Sequence, residues 1–81
     1  MSPIEIGYQA FLVDGGEEFG AVRDVRRDGL VVYIENASDF LLPYDAVVAV
    51  HAQKVIFDST KLDASTRGAI ARAHAAEMPG L

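Results

Sequence analysis

The sequence predicts a mainly β fold of consecutive antiparallel strands, followed by one C-terminal α-helix. Three observations support this. From Ile4 to Phe57, short apolar runs rich in Val, Ile, Phe and Tyr are punctuated by Gly, Asp and Asn at about ten-residue spacing, the rhythm of hairpin-linked strands. After Asp58 the period changes and alanine dominates. At 81 residues there is room for a single domain.

The first strand is expected over roughly Ile6 to Val13, closed by Asp14-Gly15-Gly16, residues that tolerate the positive φ of a tight reversal. A second runs from Phe19 to about Arg26. Val22 and Val25 are three apart, so strict alternation would place them on opposite faces. An extra residue near Arg23-Asp24 would return both to the core, which predicts a β-bulge there. Gly20 marks a close backbone approach, and Asp28-Gly29 makes the next hairpin turn.

Leu30 to Ile34 form the third strand, with Leu30, Val32 and Ile34 on one face and Val31 and Tyr33 on the other. A polar connection, Glu35 to Ser38, leads to a fourth strand at Phe40 to Leu42, stopped by Pro43. Tyr44-Asp45-Ala46 makes a tight turn into the strand Val47 to Val50. His51-Ala52-Gln53 links it to the last, Lys54 to Phe57. Asp63, with Ser65 as the alternative, has N-cap chemistry for a helix of about three turns from Arg67 to Glu77, ended by Pro79-Gly80. The inward set is then Val22, Val25, Leu30, Val32, Ile34, Leu42, Val55 and Phe57.

Bulk composition narrows the function classes. A chain this short buries only about 60–65% of its unfolded surface, so small scaffolds add disulfides, a metal or oligomerisation. There is no cysteine, and His51 and His74 are the only histidines, which leaves oligomerisation. No cofactor or metal is expected. Net charge is −5, and up to Thr60 four cations face ten acids, so nucleic-acid binding is not expected. The longest apolar runs, Leu30 to Ile34 and Ala46 to Val50, are far too short for a bilayer, and the N-terminus lacks the basic and apolar segments of a secretory signal. A cytoplasmic protein without membrane insertion is expected.

The run Glu5-Ile6-Gly7, then Phe11 to Val22 with its Asp14-Gly15-Gly16 corner and Gly20-Ala21-Val22 step, resembles the opening of a PRC-barrel (photosynthetic reaction-centre barrel) domain. Phe40-Leu41-Leu42-Pro43-Tyr44-Asp45-Ala46-Val47 is similar to that family's apolar-Pro-x-x-x-Val step. Val48-Ala49-Val50 and Lys54-Val55-Ile56-Phe57 resemble its closing hairpin. The resemblance covers roughly residues 5 to 58. It implies a small, partly open antiparallel β-barrel over residues 1–58, leaving 59–81 as a linker and a helix that packs on the barrel or on a partner subunit. It also implies a stand-alone binding or assembly module, not an enzyme, with no catalytic residues to carry over.

The residues offer little chemistry of their own. Glu17 and Glu18 are adjacent on a hairpin and point apart; Asp14 with Glu17 lacks the ligand ladder of a calcium loop. Arg23, Arg26 and Arg27 are interleaved with Asp24 and Asp28, the pattern of an exposed strand with cross-strand ion pairs. His51 with nearby acids is the alternative function: a small-ligand-binding or minor enzymatic barrel. His74, between Ile70 and Met78 on the helix, is a packing or surface residue. The apolar surplus is more informative. By parity Val31, Tyr33, Leu41 and Ile56 face outward, and either the C-terminal helix covers them or they form an interface. The expectation is a homodimer at micromolar concentration, broken by Tyr33→Asp or Ile56→Asp, with a further protein partner open.

Overall fold

The computed structural model describes residues 4–13 and 16–76, the last three of these as backbone only. Six strands, β1 Gln9–Leu12, β2 Glu18–Val25, β3 Leu30–Ile34, β4 Asp39–Leu42, β5 Val47–His51 and β6 Lys54–Phe57, make one mixed sheet in the order β4-β3-β2-β1-β6-β5. Short 3-10 turns at Tyr44–Ala46 and Ser59–Lys61 precede β5 and the helix α1, Ala64–Ala76. The first strand is shorter than its apolar run, and the corner at Asp14-Gly15 lies outside the described residues.

An all-antiparallel sheet is not what forms. β1 to β4 make an antiparallel meander and β5–β6 an antiparallel hairpin, but β6 joins β1 in parallel, with Gln9 opposite Lys54 and Leu12 opposite Phe57. The cause is the connection after Leu42. The Tyr44–Ala46 turn carries the chain onward instead of reversing it, so β5 runs in the direction of β4, and β6 runs with β1.

That same connection curls the sheet. Only residues 43–46 separate β4 from β5, a reach of about 17 Å at most. In a flat sheet of six strands the two edges would stand roughly 24 Å apart. The sheet is not closed, because β4 and β5 remain its two edges. Three single-residue bulges help it bend: Phe19 against β1, Arg23 against β3, and Val48 against β6.

The bulge at Arg23 matches the one that the Val22/Val25 spacing demands. It sets Val22 opposite Val32 and Val25 opposite Leu30. Val22 is buried, but Val25, the last residue of the strand, is 43% exposed. The other inward residues are all buried as expected. They are joined by Ala10, Phe19 and Ala46, and the rings of Phe19 and Phe57 meet at 6.0 Å.

Helix α1 closes this inner side. Asp63 is its N-cap, its carboxylate accepting from the Thr66 N–H at 2.8 Å while its carbonyl accepts from the Arg67 N–H at 3.0 Å. The cap fixes the start at Ala64, three residues before the expected Arg67, so Ala64-Ser65-Thr66 is the first turn. Leu62, Ala69, Ile70 and Ala73 enter the core, the alanines allowing close approach to β2 and β3. The helix therefore lies over the inward residues and does not cover Tyr33 or Leu41, which stay exposed on the opposite face. Its expected end at Glu77 and the His74 side chain lie outside the described residues.

Candidate functional site

Register decides which outward residues meet. Val31 pairs with Leu41 and Tyr33 with Asp39 across β3 and β4. On the other side, Tyr33 pairs with Ala21 and Val31 with Asp24 on β2. Val31, Tyr33 and Leu41 thus form one cluster at the β4 edge. Leu41 is 48% exposed and Tyr33 36%, with Val31 half-buried between them.

Ile56 is not part of that cluster. It pairs with Phe11 and Ala49, three strand positions from β3, or about 14 Å along a sheet that also curls away. It belongs to a second outward spot with Phe11, whose ring lies 5.3 Å from the Lys54 ammonium, and with the exposed Val48 that the β5 bulge pushes out. The face therefore presents two separate apolar areas.

Charges frame the first cluster. The Arg23 guanidinium stands over the Tyr33 ring, 5.6 Å from its centre, and its Nε lies 3.6 Å from Asp39 Oδ1. Arg26 Nε donates to Asp24 Oδ2 at 3.1 Å. Of the cross-strand ion pairs expected for the arginine cluster, the Arg23–Asp39 pair bridges β2 and β4 over the tyrosine, whereas Arg26–Asp24 is a local pair two residues apart on one segment. Exposed pairs of this kind contribute about 0–1 kcal/mol each, so they are easily exchanged for others. Tyr44 Oη donates to the Arg26 carbonyl, tying the 3-10 turn to the end of β2.

The polar Glu35–Ser38 connection would place Asp39 opposite Ile34, but the Ile34 N–H donates to the Ser38 carbonyl at 2.9 Å, which shortens the loop to three residues and brings Asp39 opposite Tyr33. Arg23 is outward by simple alternation from Val22, but its place beside Tyr33 and Asp39 depends on the β2–β3–β4 register, which the sequence pattern does not contain.

His51 is exposed at the end of β5, and its ladder partner is Lys54, a cation, not an acid. No group of three His, Cys, Asp or Glu able to hold a metal occurs among the described residues. A cleft of about 300 Å³ lies elsewhere, between Leu12, Ser59, Arg67, Ile70 and Ala71. Arg67 Nη1 donates to the Leu62 carbonyl at 3.1 Å at its rim.

Comparisons with family models, curated proteins and solved structures found no match. No helix among the described residues is long and apolar enough to cross a membrane. The functional reading therefore rests on this chain's own geometry.

Proposed function

We propose that this chain is a non-enzymatic interaction module of the PRC-barrel kind, which associates with a second copy of itself through the outward face of β3 and β4. The observation behind this is the Val31–Tyr33–Leu41 cluster, apolar and left open on the side of the sheet that α1 does not cover. An 81-residue chain without cysteine gains stability from burying such a face. The curl of the sheet and its short β4–β5 gap support the partly open barrel that the sequence resemblance implies. A tyrosine beneath an arginine at the centre of an apolar cluster is also the composition of a contact hot spot.

Sedimentation velocity over a concentration series tests this. The wild type is expected to dimerise in the micromolar range, since a patch of this size sits at the low end of specific interfaces. Tyr33→Asp is expected to give a monomer. Ile56→Asp, about 14 Å away on the second spot, is expected to leave the dimer intact, which departs from the outcome read from sequence parity. A wild type that stays monomeric at all concentrations removes the proposal.

A further inference from the structure

The patch holds both signs of charge on opposite flanks of one apolar centre. Arg23 on β2 and Asp39 on β4 lie on either side of Tyr33 on β3, their side chains 61% and 46% exposed. A surface that meets its own copy across a two-fold axis must be complementary to itself, with each residue type on one flank finding its opposite on the other. Resting on the self-association proposed above, we infer that the two-fold axis runs along β3 over Tyr33, so that Arg23 of each copy meets Asp39 of the other.

A rotation about such an axis exchanges the β2 side with the β4 side while keeping position along the strand. Tyr33 then packs against Tyr33 of the second copy, and Val31 against Val31, in an aligned face-to-face contact of two sheets. Arg23 already lies over its own Tyr33, which holds the guanidinium flat against the face that the second copy approaches. Its present partner, at 3.6 Å, makes a loose contact. Exchanging the two exposed intramolecular pairs, one per copy, for two intermolecular pairs keeps the number of pairs and adds orientation. The rest of the chain is acidic, at a net charge of −5, so two copies repel except where this mixed patch lets them meet.

Reciprocal charge reversal tests the arrangement. In Arg23→Asp both flanks are acidic, and in Asp39→Arg both are basic, so neither variant suits its own copy. A mixture of the two suits perfectly well: acid meets base on both flanks of the heterodimer. Each variant alone is expected to dimerise at least about tenfold more weakly than wild type, and the equimolar mixture to recover a dimer of wild-type strength. Circular dichroism and thermal melts accompany the measurement, since both positions are exposed and folding should be unaffected. Variants that dimerise as wild type does, or a mixture that forms no heterodimer, would overturn the axis while leaving self-association standing. A monomeric wild type would instead remove the underlying reading.

Discussion

A methyl group at position 20 would sit 1.9 Å from the Tyr33 carbonyl oxygen, closer than any real Cβ contact. Gly20 is therefore required by its neighbour on β3, the close approach that the sequence suggests. Gly29 has a different reason from the one its Asp-Gly setting implies. Its φ is not among the positive ones, and a Cβ there would stand 2.5 Å from the Leu42 carbonyl oxygen. The positive φ falls instead on Ala52 and Gln53, at 51° and 63°, in the two-residue loop of the β5–β6 hairpin. Positive φ at both loop positions is the pattern of the I′ turn that matches strand twist, and Gly and Asn suit it best. Gln53 is held there because its carbonyl accepts from the Gln9 N–H at 3.1 Å, the first bond of the parallel β1–β6 ladder. Gln53→Gly keeps that carbonyl and relieves the side-chain penalty of a left-handed residue, so it is expected to stabilise by about 1 kcal/mol. Urea unfolding would show the midpoint rising; an unchanged or lower midpoint would mean the strain is not where φ places it.

Elements that depend on local pattern were legible in the sequence, and β3 and β6 have the bounds their apolar runs define. The Arg23 bulge was legible because two valines at spacing three cannot otherwise share a face. The bulges at Phe19 and Val48 were not, since nothing in Glu18-Phe19-Gly20 or Val47-Val48-Ala49 breaks a strand pattern until the partner register is known. The helix start was half legible: Asp63 was recognisable as a cap, but Ser65 and Thr66 are mediocre helix formers and hid the first turn. Both turns around the helix entrance depend on ionised aspartates. The Thr60 hydroxyl and then its N–H hold the Asp58 carboxyl below its ordinary value of 3.8, and the Thr66 N–H and then its hydroxyl do the same for Asp63. A lowered folded-state pKa means stability that is present above the unfolded value and lost as pH falls through the folded one. Melting temperature is therefore expected to decline below about pH 4. Asp63→Asn still caps but no longer titrates, so its acid limb should be shallower than wild type. Equal slopes for the two proteins would show that the cap does not contribute to acid sensitivity.

At the scale of the whole molecule, the sequence led to a partly open antiparallel barrel, whereas the six strands form one mixed sheet that is not closed and has a parallel joint inside it. Sequential hairpins look alike locally, and only the Tyr44–Ala46 connection, which moves the chain to the far edge without reversing it, makes β6 run with β1. The same limit applies to the candidate site. Strand parity put Val31, Tyr33, Leu41 and Ile56 on one face, but strand order, which parity does not contain, divided them. The curl leaves the inner side open toward α1, and Ile70 is the large side chain with which the helix plugs it, at 2% exposure beside Ala69 and Ala73. A domain of this size has a total stability of roughly 4–12 kcal/mol. Ile70→Ala leaves a cavity beneath the helix and is expected to cost about 2–4 kcal/mol, a large share of that total. A chain ending at Asp58 loses Leu62 and the whole helix, and should show no cooperative unfolding transition. Because α1 and the β3–β4 cluster are on opposite sides of the sheet, Ile70→Ala should weaken folding without changing the dissociation constant of the dimer that remains folded. Urea denaturation of the substituted and shortened chains, with sedimentation of the former in native buffer, separates the two effects. A sigmoidal transition at the wild-type midpoint in the shortened chain would mean that the sheet holds its own core and the helix is an ornament to it.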